Sequence, residues 1–297
     1  MSHTRTLLPR ALLIAPLLAL LSACGGGGDS TGSTSLAIVT SAGVSAPRYG
    51  QTLLLTLNGS LLDSGIAVAS PGCRNITRST TAPNISTAAT AYYSCTPSTL
   101  GAQTFTVTRT LDNAVLTTAP FTVPAPQVTM TVSNGAGVAG SMVITLAPDR
   151  APVTVDNFLG YVNSSFYNGT IFHRVIAGFV IQGGGLVPGS PLPTLKTPTQ
   201  SAIVLETAGG LNNVQWSIAM ARTSVLNSAT SQFFINLVNN VTLDPNAGSA
   251  GYAVLGNVSA NTALVSAIVA APCQTGTGIS ECLPNPTMVI TAAAQTQ

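Results

Sequence analysis

One stretch of the chain contains an arginine and a glutamine side chain among apolar residues. It covers residues 170–185 and reads TIFHRVIAGFVIQGGG, with Arg174 among Phe, Ile and Val and with Gln182 eight residues later. An unpaired charge in apolar surroundings is costly, so we expect a polar group to meet Arg174. A guanidinium stays protonated and presents several N–H groups in a rigid fork. The chemistry that this stretch suits is therefore hydrogen-bond donation rather than proton transfer.

Other residues with reactive side chains offer less. His173 precedes Arg174, and strand alternation puts neighbouring side chains on opposite faces, so we interpret His173 as a packed structural residue. Ser231 has no base partner except His173, which argues against a hydrolase. No helix start or lysine follows residues 183–185 as a phosphate loop requires, so this glycine run predicts a turn at a strand end.

Two ordered blocks of sequence carry a resemblance to a known family. Residues 172–184 read FHRVIAGFVIQGG, and residues 218–223 and 228–236 read IAMART and SATSQFFIN. Shorter matches lie at residues 151–158, APVTVDNF, and 251–254, GYAV. Together they resemble the cyclophilin-type peptidyl-prolyl cis-trans isomerases, and the MART and GYAV segments resemble the bacterial periplasmic branch. The resemblance extends from about residue 128 to residue 297.

The resemblance implies roles for individual residues. Arg174, Gln182 and Phe234 match the family's catalytic positions. Arg222 would act mainly through its main chain, and Tyr252 stands where many relatives have histidine. The positions that would bind the substrate are Phe179, Val180, Ala221, Arg222, Thr223, Gln232, Leu243 and Tyr252.

The reaction that this resemblance implies needs no nucleophile, no metal and no cofactor. An X–Pro bond turns through a twisted amide with a barrier of about 18–20 kcal/mol, and only there does the prolyl nitrogen regain its lone pair. A fixed donor at that nitrogen binds the transition state preferentially. A 10⁴-fold acceleration requires about 5–6 kcal/mol, whereas one charge-assisted hydrogen bond contributes about 1.5–3 kcal/mol. An apolar pocket and fixed backbone contacts must supply the rest.

Two positions depart from the family's common pattern. Thr242 stands where relatives carry an aromatic residue, which predicts a looser pocket and weak cyclosporin binding. Trp216 stands where relatives often have glycine, and the sequence offers no reason for it.

The elements that position these residues can be predicted from periodicity. Residues 127–133 and 141–146 read as strands, and Pro152 can begin a helix. Val155, Phe158, Leu159 and Val162 then form one apolar helical stripe. We predict a mainly β fold, with a closed eight-stranded antiparallel β-barrel and two capping helices over residues 127–297. Further strands are predicted at residues 203–205, 217–221, 232–237, 252–256 and 287–291, and the second helix at 261–270.

A separate domain is predicted before the barrel. Residues 36–123 show strand alternation with turn signals and no sustained helical periodicity, which predicts a small immunoglobulin-like β-sandwich. Residues 124–126, Pro-Ala-Pro, form a stiff linker. The sandwich has no histidine and no cluster of carboxylates, so we interpret it as a spacer or binding module.

The N-terminus predicts export and lipidation. Arg5 and Arg10 precede an apolar segment of the length of a signal-peptide core, and residues 21–24, LSAC, resemble a lipobox. We expect a lipoprotein signal peptide at residues 1–23, an acylated Cys24 and a flexible Gly/Ser tether over residues 24–35. An ordinary signal peptide with a chance cysteine is the alternative. Gly25 favours the periplasmic face of the outer membrane, in the bacterial cell envelope.

The four remaining cysteines are Cys73, Cys95, Cys273 and Cys282. Four cysteines allow three pairings, and disulfides are expected in an oxidising compartment. Pairing Cys73 with Cys95 and Cys273 with Cys282 keeps each bond within one predicted domain. Metal binding is the alternative, but the chain lacks the Cys-x-x-Cys spacing of common zinc sites.

Charge and hydropathy exclude several classes of function. Removing Arg5 and Arg10 leaves eight Lys and Arg against eight Asp and Glu, so the basic surface that nucleic acid requires is absent. Charged residues make up only 6% of the chain, yet no apolar run after residue 24 approaches the roughly 20 residues of a membrane span. The family resemblance implies proline-containing polypeptides as substrates, and we expect a monomer.

Three functions remain open at this point. The first is a prolyl isomerase for envelope proteins. The second is a lipid-anchored proline-peptide-binding or chaperone module with little turnover, as Thr242 would permit. The third makes the sandwich an adhesin-like domain, with the barrel as its support.

Overall fold

A computed structural model describes residues 35–274 and 281–297 of the chain. The predicted signal peptide, the acylated Cys24 and all but the last residue of the tether lie outside the described residues. Residues Leu36–Gln297 form one compact unit. Among the described residues, no helix has the length and apolar character needed to cross a membrane.

The first part of this unit consists of seven strands in two antiparallel sheets. The four-stranded sheet has the order β1-β2-β5-β4, and the three-stranded sheet has the order β3-β6-β7. With the strands lettered A to G, these orders are ABED and CFG, those of an immunoglobulin constant domain. The strands are β1 (Ile38–Val44), β2 (Leu53–Ser60), β3 (Ile66–Ala69), β4 (Cys73–Arg78), β5 (Thr90–Pro97), β6 (Gly101–Arg109) and β7 (Val115–Val123).

Alternation of side chains explains why these strands pair into layers. Leu53, Leu55 and Leu57 of β2 are fully buried while the residues between them are partly accessible, as in a half-exposed strand. The Cys73–Cys95 bond is present and joins adjacent strands β4 and β5 of one sheet. This differs from antibody domains, in which the disulfide crosses between the sheets.

The second part is a closed barrel, as predicted. Its eight strands follow the order β10-β11-β15-β14-β16-β9-β8-β17, and every pair is antiparallel. A separate two-stranded sheet, β12 (Leu186–Val187) with β13 (Thr194–Leu195), lies within the proline-rich loop. The barrel strands are β8 (Gln127–Ser133), β9 (Ala139–Leu146), β10 (Ile171–Ile176), β11 (Val180–Gly183), β14 (Ser217–Met220), β15 (Phe233–Asn236), β16 (Val254–Ala260) and β17 (Met288–Gln295).

Within residues 127–274 and 281–297, two helices accompany the barrel, α1 (Pro152–Asn163) and α2 (Thr262–Val269). Pro152 begins α1, and the predicted stripe of Val155, Phe158, Leu159 and Val162 is buried. The first peptide N–H groups of a helix lack partners within it. The carboxylate of Glu206 accepts two of them in α1, those of Val153 and Thr154. A 3-10 turn, Val241–Leu243, lies between β15 and β16.

The core of the barrel is built from edge-on aromatic rings. Phe233 makes T-shaped contacts with Phe158, Tyr167 and Phe172 at centroid distances of 5.8, 5.5 and 5.9 Å. All four side chains are fully buried, and burying each contributes about 1.5–3 kcal/mol. The helix α1 is therefore fixed against the strand β15, which carries part of the candidate site.

The sandwich contacts the barrel through polar groups. Arg74 of β4 forms an ion pair with Asp156 of α1 at 2.8 Å. The Gln295 side chain of β17 donates to the Tyr49 carbonyl and accepts from Gln51, both at 2.9 Å. Asp156 therefore serves as a link to the sandwich.

A second disulfide, Cys273–Cys282, closes the segment between α2 and β17, as predicted. On either side of this bond, the Gln274 N–H donates to the Leu283 carbonyl at 2.8 Å, and the Asn285 N–H donates to the Pro272 carbonyl at 2.7 Å. One strand prediction was wrong, because in residues 203–205 only Ile203 pairs, through a single bridge to Ala229.

Candidate active site

Strand register brings the predicted catalytic residues into one row. Arg174 of β10 lies opposite Gln182 of β11, and Gln182 lies opposite Phe234 of β15. Side chains directly opposite each other in neighbouring strands lie about 4.5–5.5 Å apart. Residues distant in sequence therefore meet on one face of the barrel wall.

An open cavity of about 230 Å³ lies over this row. Its size is below the range of about 300–1,000 Å³ that is usual for drug-sized ligands, so it suits a single side chain. It is lined by Arg174, Phe179, Val180, Gln182, Ala221, Arg222, Phe234, Leu243 and Tyr252.

The apolar part of the cavity has a rigid floor. Val180 and Phe234 are buried and pack with Ala219 and Val254 in a small cluster outside the main barrel core. The Tyr252 ring meets the Phe234 ring edge-on at 5.5 Å. A side chain that enters this part of the cavity therefore contacts apolar surface.

Arg222 supports this wall through its side chain. The guanidinium carbon lies 4.7 Å from the Tyr252 ring centroid, and Nε and Nη2 donate to the Gly251 carbonyl at 3.1 and 2.9 Å. Within the described part of the chain, no hydrogen bond uses the peptide N–H or carbonyl of Arg222. Its main chain is thus available to pair with a bound peptide.

A relay of side-chain amides holds one end of Arg174. Its Nη1 donates to Oε1 of Gln182 at 3.3 Å, and Nε2 of Gln182 donates to Oε1 of Gln232 at 2.9 Å. The Gln182 amide acts as acceptor at one end and donor at the other, so each contact fixes the direction of the next.

The glycine run provides space for this relay. A Cβ atom at Gly185 would lie 2.3 Å from Cγ of Gln232. At Gly184, which has φ +82°, a Cβ atom would lie 2.7 Å from the Phe233 ring. The two glycines therefore allow the turn to approach the side chains of Gln232 and Phe233 closely.

A second, smaller cavity adjoins the first and contains the remaining predicted residues. Its volume is about 170 Å³, and it shares Gln182, Ala221 and Arg222 with the first. All of the predicted catalytic and substrate-binding residues therefore line two adjoining cavities. The second cavity is also lined by Thr223, Ser228, Thr230 and Gln232.

The sequence did not reveal one charged neighbour of Arg174. Glu281 accepts hydrogen bonds from Nε and Nη2 of Arg174 at 2.5 and 2.7 Å. These hydrogen bonds hold the pKa of the Glu281 carboxyl below its usual 4.5. Because Glu281 lies 107 residues from Arg174 and belongs to no motif, no sequence signal could have identified it.

His173 takes no part in this arrangement. Burial lowers the pKa of its imidazole below the usual 6.5, so the ring is neutral at neutral pH. Its Nδ1 atom is buried and has no hydrogen-bond partner among the described residues. Over the same residues, no three His, Cys, Asp or Glu side chains are grouped as a metal site requires.

A closed antiparallel barrel with an apolar surface cavity and an arginine donor in its wall can accommodate an apolar side chain and donate a hydrogen bond beside it. The family described as cyclophilin type peptidyl-prolyl cis-trans isomerase/CLD matches residues 127–294. The chain therefore belongs to the cyclophilin-type peptidyl-prolyl cis-trans isomerases, and it is an isomerase of X–Pro bonds that acts on proline-containing polypeptides.

Three of the relatives that it resembles are bacterial proteins. Peptidyl-prolyl cis-trans isomerase A of Dickeya dadantii (strain 3937) is 45% identical over 148 residues, which are 49% of this chain and 76% of that protein. Peptidyl-prolyl cis-trans isomerase cyp18 of Streptomyces antibioticus is 46% identical over 135 residues, 44% of this chain and 78% of that protein. Peptidyl-prolyl cis-trans isomerase B of Escherichia coli (strain K12) is 52% identical over 101 residues, 34% of this chain and 59% of that protein.

Proposed function

We propose that Arg174 accelerates the rotation by donating a hydrogen bond to the prolyl nitrogen of the twisted X–Pro amide. The observation that carries this proposal is the position of its guanidinium in the wall of the apolar cavity, beside Gln182 and Phe234. In both planar forms of the amide the nitrogen lone pair is delocalised, so only the twisted form accepts the bond. The interaction is thus stronger in the transition state than in either ground state.

The remainder of the acceleration comes from the surroundings of Arg174. Phe179, Val180, Phe234 and Leu243 hold the proline ring, and the cavity removes water from the amide, which strengthens the hydrogen bond. The peptide group of Arg222 pairs with the substrate backbone, so one side of the amide is fixed while the other turns.

Gln182 and Gln232 keep the donor in place. Because Gln182 binds both Arg174 and Gln232, a change at Gln232 reaches the guanidinium through a single intermediate. Ala221, Thr223 and Tyr252 complete the walls of the two cavities.

The same proposal includes the place of action. A leader that ends just before Cys24 favours a lipid-anchored protein of the bacterial envelope, and the two disulfides fit an oxidising compartment. In this arrangement residues 36–123 act as a spacer or binding module, 124–126 as the linker and 127–297 as the isomerase. Envelope proteins with slow X–Pro bonds are then the substrates.

Isomerase assays on a short Xaa-Pro peptide test the role of Arg174. Loss of one charge-assisted hydrogen bond of about 1.5–3 kcal/mol predicts that Arg174→Ala lowers kcat/KM by about 13- to 160-fold. Arg150 lies outside the cavity, where it binds Asp149 and the Gly209 carbonyl, so Arg150→Ala is the matched control. Equal rates for Arg174→Ala and the wild type would exclude the proposed role. Peptide binding without turnover in the wild type would favour the binding-module alternative.

A further inference from the structure

The guanidinium of Arg174 has a partner that the isomerisation itself does not require. Glu281 binds it at two points, at 2.5 and 2.7 Å, whereas Gln182 binds it at one point, at 3.3 Å. Two-point pairs between a guanidinium and a carboxylate fix orientation as well as position. Glu281 therefore does more than Gln182 to set the direction in which the donor points.

The ion pair leaves donors for a substrate. A guanidinium carries five N–H groups, and the contacts to Glu281 and Gln182 engage three of them. One N–H group on Nη1 and one on Nη2 remain. Arg174 also retains a side-chain exposure of 30%, so a bound peptide can reach them.

Glu281 is itself attached to the strand that carries Arg174. The next residue, Cys282, accepts a hydrogen bond through its carbonyl from the Val175 N–H at 2.9 Å. Its side chain is bonded to Cys273 at the end of the segment that follows α2. The carboxylate is thus held beside β10 from two directions.

We propose that Glu281 is a positioning residue for Arg174 and that the Cys273–Cys282 disulfide keeps it in place. The proposal rests on the role of Arg174 given above. An arginine side chain has many rotamers, so an enzyme that needs one direction gains from a partner that restricts them. The prolyl nitrogen is a neutral acceptor, so the direction of the N–H group matters more than the partial loss of positive charge to the carboxylate.

Substitutions at Glu281 test the positioning. An ion pair between partly exposed groups predicts that Glu281→Ala lowers kcat by about 2- to 5-fold, with KM little changed because the apolar cavity is intact. Glu281→Asp, which keeps the carboxylate, recovers part of the loss. The chain's other glutamate, Glu206, caps α1 away from the cavity, so Glu206→Gln is the control and leaves kcat unchanged.

A spectroscopic measurement separates positioning from a general effect on folding. In the wild type, the Nε–H group of Arg174 donates to Glu281 and gives a ¹⁵N signal protected from exchange with water. We expect this signal to exchange rapidly in Glu281→Ala while the backbone amide spectrum of the barrel is unchanged.

The role of the Cys273–Cys282 disulfide is tested by comparing the reductions in kcat of several variants. Replacing both Cys273 and Cys282 by Ser gives the same reduction in kcat as Glu281→Ala, and the combined variant shows no further loss. Replacing Cys73 and Cys95 by Ser is the matched control, because that bond lies in the sandwich, and it leaves kcat unchanged.

The positioning by Glu281 and the role of the disulfide would be contradicted by different results. An unchanged or increased kcat in Glu281→Ala would exclude positioning, and additive losses would exclude the role of the disulfide. Full activity of Arg174→Ala would instead remove the proposed function on which this inference rests, so the two failures are distinguishable.

Discussion

Gly185→Ala is the smallest change that should disturb the relay behind Arg174. The new Cβ atom would lie 2.3 Å from Cγ, 2.6 Å from Cδ and 2.7 Å from Nε2 of Gln232. Carbon atoms in contact lie about 3.5–4.0 Å apart, so the Gln232 side chain must move by roughly 1 Å or more. Its hydrogen bond to Gln182, now 2.9 Å long, then exceeds hydrogen-bond distance.

The cost in rate follows from that single hydrogen bond. A neutral side-chain hydrogen bond contributes about 0.5–1.5 kcal/mol, which predicts a 2- to 13-fold decrease in kcat/KM. The backbone at Gly185 is not in a left-handed conformation, so steric displacement of Gln232 is the cause of the effect. Gln232 also lines the open second cavity, so it has space to move and the unfolding temperature should change little.

An isomerase assay on an Xaa-Pro peptide measures this effect. Gln232→Ala should give a similar decrease, and its combination with Gly185→Ala should give no additional one. Gly43→Ala is the matched control, because a Cβ atom there meets no heavy atom within 4 Å and the position lies in the sandwich. Wild-type activity in Gly185→Ala, with a reduced activity in Gln232→Ala, would refute the argument that this glycine provides space for the relay.

Two further predictions concern the cavity and the N-terminus. Thr242 lies exposed in the 3-10 turn beside the cavity residue Leu243, where relatives carry an aromatic side chain. Because threonine adds no aromatic wall to the cavity, the wild type should bind cyclosporin with a Kd weaker than micromolar. Thr242→Trp adds an aromatic wall and should tighten binding about tenfold or more by calorimetry, and sub-micromolar binding by the wild type would contradict this. Cys24→Ser should abolish incorporation of labelled fatty acid and release the protein from the membrane fraction, whereas labelling that persists in this variant would exclude Cys24 as the lipidation site.

Much of the barrel could be predicted because its signals are local. The apolar stripe of α1 repeats at helical spacing and is buried as a unit, and the strand at residues 127–133 has the predicted limits. The site residues in the two sequence blocks lie on neighbouring strands, so their relative positions follow once the register is known. The family resemblance named these residues, and the strand register of the structure places Arg174 and Phe234 on either side of Gln182.

What the sequence could not provide depends on contacts between distant segments. Periodicity does not show that Asp156 of α1 would bind Arg74 of the sandwich, since each residue lies on the exposed side of its own element. The backbone at Trp216, where φ is +68°, explains the glycine of many relatives but not the tryptophan itself. Glycine adopts that conformation without strain, which accounts for a preference for glycine at this position.

The surroundings of the Arg174 charge differ between the sequence prediction and the structure. The apolar neighbours in sequence suggested a buried cation, but 30% of the side chain is exposed and a carboxylate of the same chain neutralises it. The substrate therefore does not have to provide a negative charge. An enzyme that acts at a neutral nitrogen benefits from this arrangement, because an unpaired arginine would favour acidic peptides irrespective of proline. If Glu281 positions Arg174 as proposed, the same ion pair also reduces the attraction of Arg174 for acidic peptides.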